Sequence, residues 1–405
     1  MSTIGQRIAS YRKQHNMSQK DLAVAVGRSE SWVSQVERDI QPVERLPVLQ
    51  SLAQALGITL QELRPDAAAT ESTAPAAPEA NDLDGLRLVL SGHPAAASLL
   101  SPEASPTTID SDELERAVDH AWRLTHHSKF ADLTVILSDL LPRLEQASRT
   151  APQAERPKLH RLRAHAYQAV AAAFARQDEA DAAWLAADRA IAASELANEP
   201  LEVLAGHFRL AHAFTRLKRL DQSEHVASSA INALEPVVTG GSGTPEGQAL
   251  CGALYLARAV VRSRAGDRAG ARSDLDAADA LGQLVGEGRN DFHTEFGPTN
   301  VQLHRVAICI ELGDAGEALE IAEGVDASSL SNERQARFLV DVARARLQRR
   351  QLEEAAEAMV QADGLAPEFV RGHPQSRGAL LELLQQFSGR APAELSKLAR
   401  NARLS

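Results

Sequence analysis

The sequence has few cysteines, few lysines and no long apolar run. Its 405 residues include two cysteines, Cys251 and Cys309, too few for a disulfide framework or a zinc finger. Both lie in apolar helical patterns, so we expect them to pack in a core as small apolar groups. There is no apolar run of the roughly 18 residues that a membrane-spanning helix needs, and the N-terminus is charged where a signal peptide would be apolar. These absences predict a cytoplasmic protein that does not enter a membrane.

Charge is distributed unevenly along the chain. The formal net charge is −11, but residues 1–64 carry a net charge of +2 and residues 65–405 carry −13. A domain that binds nucleic acid is expected to be basic, whereas an acidic surface repels nucleic acid. The first 64 residues are therefore the candidate for contact with DNA.

Composition divides the chain into three parts. Residues 65–80 (PDAAATESTAPAAPEA) contain seven alanines and three prolines but no Leu, Ile, Val or Phe, so they have nothing to bury and are typical of a linker. A short helix is predicted at 82–90, and a second Pro/Ser-rich stretch continues to 110. We predict a first domain over 1–64, an Ala/Pro-rich linker with a short helix over 65–108, and a second domain over 109–405.

The second domain has helical periodicity throughout and almost no alternating runs that would indicate strands. Segments rich in small residues begin at 177, 218, 266, 313 and 350, each after another apolar helix, and a degenerate copy begins at 127. This pattern resembles the tetratricopeptide repeat, a helix–turn–helix unit with a period of about 34 residues. The resemblance implies an α-solenoid whose concave surface binds a peptide, a protein segment or a small ligand. Another kind of helical bundle is the alternative.

Residues 19–38 (QKDLAVAVGRSESWVSQVER) have the pattern of two short helices joined by a tight turn. Gly27 is placed at the turn, where a left-handed residue is needed, and Ser18 and Ser29 are suited to cap the two helices. Apolar stripes before and after this segment predict three further helices that close a core. The positions predicted on the inner faces of the two helices are Leu22, Ala23, Val26, Val33 and Val36.

This spacing resembles the Xre/Cro family of bacterial and phage repressors over residues 3–64. The resemblance rests on the SQKDLA entry, the glycine turn, the VSQVER stretch and the LAQALGITLQEL tail. It implies an all-α protein, with a five-helix DNA-binding domain followed by the tetratricopeptide-like α-solenoid. It also implies that the helix Ser29–Glu37 lies in the major groove of double-stranded DNA.

The outward positions of that helix supply the candidate DNA contacts. Gln35 can bond adenine in a bidentate pair, and the serines can bond either kind of base edge. Arg28 and Arg38 are placed for phosphates, and Gln19 matches a family position that bonds a phosphate. The complete candidate set is Gln19, Lys20, Arg28, Ser29, Glu30, Ser31, Trp32, Ser34, Gln35 and Arg38.

Trp32 and Glu30 each have an alternative role that does not involve DNA, and the neighbouring Glu37 is expected to have a structural role. Trp32 either contacts a thymine methyl or the sugar backbone, or packs over the side of the domain. Glu30 either accepts from cytosine N4 or is a solvated carboxylate in the first turn, favoured by the helix dipole. Glu37 is expected to pair with Arg7 or Arg12, because it lies at the helix end that faces the first helix.

Residues 290–314 carry the candidate ligand site of the second domain. The sequence FGPTNV, followed by LHR, resembles a motif that recurs in actinobacterial Xre-type regulators with tetratricopeptide-like domains. Asn300 and His304 are four residues apart, a polar pair on an otherwise apolar helix. They either contact a polar ligand on the inner surface or form a buried hydrogen-bonded pair that joins neighbouring repeats.

The sequence predicts no enzyme. The glycine-rich loop at 239–247 lacks the ending of a phosphate-binding loop, and no two histidines have the i, i+4 spacing of a zinc site. We therefore expect no metal and no cofactor. The functional hypothesis is a sequence-specific transcriptional regulator, a homodimer on a two-fold operator, whose repeat domain senses a peptide, small molecule or protein. The alternative is an interaction scaffold in which the N-terminal module docks a protein.

Overall fold

The chain has an all-α fold, as predicted, and no strand occurs in the part of it that the structure describes. It divides into two compact units, residues 1–80 and 81–405. The predicted domain limits near 64 and 109 fall on undescribed residues and stay predictions. The computed structural model describes residues 3–15, 17–26, 30–39, 43, 46–58, 63, 83–92, 110–238, 243–387 and 391–404.

The first unit is built from short amphipathic helices around one apolar core. The predicted inner-face residues Leu22, Ala23, Val33 and Val36 are all at most 3% exposed, and Val26 packs at the edge of the core. The fifth predicted helix and Gly27 lie outside the described residues. The described helices of this unit are α1 (Ile4–Gln14), α2 (Gln19–Ala25), α3 (Glu30–Glu37) and α4 (Leu46–Ala55).

In its described residues, the second unit has six helix pairs, preceded by one short helix and followed by three more helices. The short helix, α5 (Asp84–Ser91), lies in the segment predicted as a linker and packs on the second unit through Leu83, Leu86 and Leu90. The pairs are α6 (Ser111–His126) with α7 (Phe130–Thr150), α8 (Arg156–Arg176) with α9 (Ala180–Ala197), α10 (Pro200–Arg216) with α11 (Leu220–Val238), α12 (Pro245–Ala265) with α13 (Arg268–Val285), α14 (Pro298–Leu312) with α15 (Ala315–Glu323), and α16 (Asn332–Gln348) with α17 (Leu352–Leu365). The final helices are α18 (Pro367–Gly372), α19 (Pro374–Gln386) and α20 (Ala393–Asn401).

The repeat pattern predicted from the sequence corresponds to these pairs. The segments that begin at 127, 177, 218, 266, 313 and 350 each lead, within two or three residues, into the second helix of a pair. Small side chains make the close approach of paired helices possible, as at Ala183, Ala186 and Ala190 of α9, which are at most 1% exposed. Burial of such continuous faces between neighbouring repeats is what stabilises a stack of this kind.

Both cysteines are core residues, as expected. Cys251 on α12 and Cys309 on α14 are free thiols and are buried. Burial raises the pKa of Cys251 to about 12 and that of Cys309 to about 11. Both thiols are therefore protonated near neutral pH and behave as small apolar groups.

The superhelix of the second unit brings its first pairs against its last helices. The backbone N–H of Phe130 donates to Glu368 (3.0 Å), and Arg176 on α8 lies 3.5 Å from Glu333 on α16. Arg216 on α10 lies 2.7 Å from His373. The first helices of distant pairs therefore face one another across the interior. In the described residues no helix is long and apolar enough to span a membrane.

Candidate nucleic-acid interface

The C-terminal end of α3 is held by a network of three side chains. Glu37 accepts two hydrogen bonds from the guanidinium of Arg12 on α1 (2.5 and 2.9 Å) and one from the amide of Gln19 on α2 (2.8 Å). Arg12 also donates to the backbone oxygen of Met17, just before α2 (2.7 Å). The prediction that Glu37 pairs with α1 is confirmed, with Arg12 as the partner. The network ties α1, α2 and α3 together at one point.

Electrostatics favours the charged form of both members of this pair. The hydrogen bond to Glu37 raises the pKa of Arg12, against the effect of burial. Burial alone would raise the pKa of Glu37, but the hydrogen bonds from Arg12 and Gln19 outweigh it, so the pKa is lowered. The carboxylate and the guanidinium are 6% and 9% exposed, so their attraction is little screened by solvent. The pair thus holds the C-terminal end of α3 in place.

A second contact joins the start of α1 to the end of α3, and the sequence reasoning missed it. Asp39 has a φ of 55° and accepts from the backbone N–H of Gly5 (3.1 Å) and the hydroxyl of Thr3 (2.5 Å). A Cβ atom on Gly5 would lie 2.2 Å from the backbone oxygen of Val36, so only glycine fits at this approach. The signal available in the sequence was an aspartate directly after a helix, because aspartate tolerates the left-handed conformation.

The N-terminus of α2 is capped as predicted. The hydroxyl of Ser18 accepts from the backbone N–H of Asp21 (3.1 Å), and the Asp21 carboxylate accepts from the backbone N–H of Ser18 (2.9 Å). This reciprocal arrangement satisfies two backbone donors at the helix start. It fixes the position at which Gln19 and Lys20 enter the helix.

The free face of α3 presents polar side chains to solvent. Glu30 and Gln35 are exposed on the helix, and Arg38 is exposed just after its end. Ser34 is half-buried, and Lys20 is exposed at the start of α2. The arrangement leaves an amide, a hydroxyl and two cationic side chains available to a double helix of DNA.

Two of the candidate DNA contacts, Trp32 and Gln19, are half-buried rather than exposed. Trp32 is half-buried and packs against the core of the first unit. Gln19 is also half-buried, and its amide N–H is already bonded to Glu37, which orients the side chain. Of the remaining candidates, Arg28 and Ser29 lie outside the described residues, and the Ser31 side chain is likewise not described.

In the second unit, Asn300 and His304 lie on the inner helix α14. Asn300 is 2% exposed, and its backbone oxygen accepts from Nδ1 of His304 (2.8 Å). This hydrogen bond lies within one helix, so it does not join two repeats. The side-chain oxygen of Asn300 has no hydrogen-bond partner among the described residues. The described residues contain no group of three or more His, Cys, Asp or Glu able to hold a metal ion.

The first unit matches a known domain family. Residues 3–66 match the family model described as a helix-turn-helix domain. The chain therefore carries a helix-turn-helix domain, formed by α2 and α3 with their neighbours, ahead of its helical repeats. No protein of curated function matches the sequence.

Three solved structures have low similarity to this chain. PlcR of Bacillus thuringiensis, in complex with the peptide PapR7 and DNA, is 13% identical over 70% of this chain and 96% of its own, with a TM-score of 0.29. The apo competence regulator ComR of Streptococcus vestibularis is 13% identical over 76% and 98%, with a TM-score of 0.23. A point mutant of PrgX is 10% identical over 98% and 100%, with a TM-score of 0.21.

Proposed function

We propose that this chain is a sequence-specific DNA-binding transcriptional regulator of the Xre/Cro type. The observation that carries the proposal is the geometry of α3: its C-terminal end is locked to α1 and α2 by Glu37, while Gln35, Glu30 and Arg38 remain exposed. A rigid helix with a free polar face is what insertion into the major groove requires. The helix-turn-helix match over residues 3–66 supports the same function.

The second unit is proposed to sense a ligand and to join two copies of the chain. One helix-turn-helix module makes few base contacts. Two modules on a two-fold operator double that number, so a dimer is expected. The inner helices of the repeats carry buried polar groups, such as Asn300, that a purely structural stack would not need. The ligand would be a peptide, a small molecule or a protein segment.

A gel-shift with genomic fragments at two salt concentrations tests DNA binding. We expect a specific band that resists unrelated competitor DNA and weakens steeply with salt, because bound phosphates release counterions. If no band forms at low salt, the first unit does not bind DNA, and the scaffold function becomes the better explanation.

Gln35→Ala should relax base specificity. Loss of a bidentate base contact costs about 1–3 kcal/mol for the preferred operator and leaves other sequences unaffected. Selection of bound sequences from a random pool, followed by anisotropy titrations, measures both effects. Gln54→Ala, which removes an exposed glutamine from α4, is the matched control and should change neither. Equal weakening on all sequences would contradict a base-reading role for Gln35.

Arg38→Ala should weaken binding to every sequence to the same degree. A phosphate contact carries no sequence information, and its loss should reduce the slope of log K against log salt concentration by about 1. The control is Lys13→Ala, which removes an equal charge from an exposed position on α1 outside the candidate set. An unchanged slope in Arg38→Ala would show that this arginine does not touch the backbone of DNA.

A further inference from the structure

The interior of the second unit contains a cluster of charged side chains from distant repeats. Its members, which we call the inner cluster, are Arg176, Arg209, Glu295, Glu333, Arg334 and Arg337. The arginines and Glu333 come from the first helices of pairs, namely α8, α10 and α16, and Glu295 from the connection between α13 and α14. Residues far apart in the chain therefore meet at one place on the inner side of the superhelix.

The inner cluster holds more positive than negative charge. Glu333 contacts Arg337 (2.7 Å) and Arg176 (3.5 Å), and Glu295 contacts Arg334 (3.2 Å). The inner cluster thus has four guanidinium groups and two carboxylates, and three of the four contact a carboxylate. Three further carboxylates lie around the inner cluster: Asp341 and Glu311 share Arg344 (2.9 Å each), and Glu202, which accepts from His165 (2.8 Å), is the negative charge that acts on Arg209.

Arg209 is the member without a counterion. It is 8% exposed, and no carboxylate among the described residues lies within salt-bridge distance of it. Its Nη2 donates to the backbone oxygens of Phe292 (2.8 Å) and His293 (3.1 Å), and its Nε has no partner among the described residues. A buried, uncompensated guanidinium is costly, so this position is suited to an anion that neutralises it.

The charges around Arg209 support this interpretation. Burial together with the charges of Arg176 and Arg334 lowers the pKa of Arg209 to about 9, against the opposing charge of Glu202. Burial and the same arginines lower the pKa of His126 to about 3, so this nearby imidazole is neutral at pH 7 and adds no charge of its own. The side chain of Arg209 still carries its proton at pH 7.

A second buried donor next to Arg209 lacks an acceptor. The indole N–H of Trp122, a residue 2% exposed, has no partner, and the guanidinium of Arg209 stacks over its ring at 5.2 Å. The Nε of Arg176 makes no hydrogen bond, but it lies 3.5 Å from an oxygen of Glu333 and is paired with that carboxylate. Buried donors are normally satisfied, so the unsatisfied Nε of Arg209 and indole N–H of Trp122, on two side chains that stack together, indicate a ligand with acceptor atoms.

The backbone that Arg209 contacts is itself in an unusual conformation. Phe292, His293 and Glu295 all have positive φ values, between 50° and 53°, which are strained for residues with side chains. The ring of His293 stacks on Trp122 with centroids 3.8 Å apart. A ligand at Arg209 would therefore lie beside a strained connection that touches several repeats.

We propose that the inner cluster binds a phosphate-type oxyanion, with Arg209 as its principal partner and Arg176 and Trp122 as further donors. Guanidinium groups match the geometry of phosphate oxygens and bind them in a forked manner. The four guanidinium groups of the inner cluster outnumber its two carboxylates, which favours an anion. As a regulatory signal this inference rests on the proposed sensing role of the second unit, whereas the binding itself is independent of DNA.

Calorimetric titration of the full chain with inorganic phosphate and with pyrophosphate tests the proposal. We expect saturable binding in a chloride buffer of constant ionic strength and a rise in Tm on addition of either anion. Arg209→Gln should weaken binding about tenfold or more, the scale of one lost charged hydrogen bond, and should abolish the rise in Tm. Absence of binding to the wild-type chain, or equal binding to the variant, overturns the proposal.

Two controls separate an anion site from a structural role. Arg258→Gln removes an arginine that is paired with Asp274 (2.7 Å) elsewhere in the same unit and should leave anion binding unchanged. If Arg209→Gln does not fold, Arg209→Lys is the test variant. It keeps the positive charge but loses the paired N–H donors of the guanidinium, so it should bind the anion measurably more weakly. Unchanged anion binding by Arg209→Lys would contradict the proposal that the guanidinium of Arg209 recognises the oxyanion.

The source of the oxyanion is distinguished by competition. Citrate, a carboxylate probe, should displace pyrophosphate only at higher concentrations, and displacement at lower concentrations would assign the site to carboxylates instead. Gel-shift assays on the same variants keep the two proposals apart. For the wild-type chain, absence of anion binding together with intact DNA binding would remove this inference alone, and anion binding without DNA binding would remove the proposed regulator alone.

Discussion

Glu37→Ala should destabilise the first unit by about 3–5 kcal/mol and abolish specific DNA binding. The substitution leaves the buried guanidinium of Arg12 without its carboxylate, and breaking such a pair is far more costly than losing a surface ion pair. It also frees the amide of Gln19, so the end of the recognition helix loses its attachment to both neighbours. Hydrogen exchange of the backbone amides in α1, α2 and α3 measures the effect within the full chain.

The same pair makes the first unit sensitive to acid. The pKa of Glu37 is lower in the folded chain than in the unfolded one, so its stabilisation is complete above the unfolded pKa. That stabilisation is lost as the pH falls through the folded pKa, and the wild-type protection should then approach that of the variant. A double-mutant cycle with Arg12→Ala should give a coupling of similar size. A cycle with no coupling would show that the pair does not hold the helices together.

Glu333→Gln should have a comparable effect on the second unit, again about 3–5 kcal/mol. Glu333 is 1% exposed and is the carboxylate shared by Arg337 and Arg176, so its loss leaves the nearly buried guanidinium of Arg176 and the half-buried one of Arg337 without this partner. Calorimetry should show a lower Tm for the unfolding of the second unit. The control is Glu353→Gln, because Glu353 also occupies the second position of a helix, α17, but is exposed.

The pH dependence of Glu333 has the same sign as that of Glu37. Burial alone would raise the pKa of Glu333, but the charges of Arg337, Arg176 and Arg334 hold it well below its usual range. The stabilisation is therefore present at neutral pH and declines as the pH falls below the range in which an unfolded glutamate titrates. A variant whose stability matched that of Glu353→Gln at pH 7 would contradict the role assigned to this carboxylate.

Local pattern was sufficient for the helices of both units. The apolar positions of residues 19–38 predicted that Leu22, Ala23, Val33 and Val36 are buried. This was possible because helical periodicity depends only on residues that are close in the sequence. The recurrence of small residues likewise located the second helix of each pair, since close helix packing needs small side chains wherever it occurs. The candidate DNA contacts came from the same local register and remain a prediction to be tested by the variants above.

Long-range pairing could not be predicted in this way. The alternatives offered for Glu37 were Arg7 and Arg12, and only the packing of α1 against α3 decided for Arg12. The contact of Gly5 with Val36 was missed for the same reason, because a glycine near a helix start has no local signature of a close approach. The hydrogen-bonded pair suggested for Asn300 and His304 proved to be a bond inside one helix.

The sequence by itself thus determined the helices, their amphipathic faces and the helix-turn-helix domain, because each of these depends on residues within a few turns of one another. The tertiary structure alone decided which charges meet. Arg176 and Glu333 belong to helices of different repeats, and Arg209 lies beside the strained connection at Phe292 and His293. Which charges pair across the superhelix depends on the sum of many small rotations between successive repeats. No local sequence pattern determines that sum.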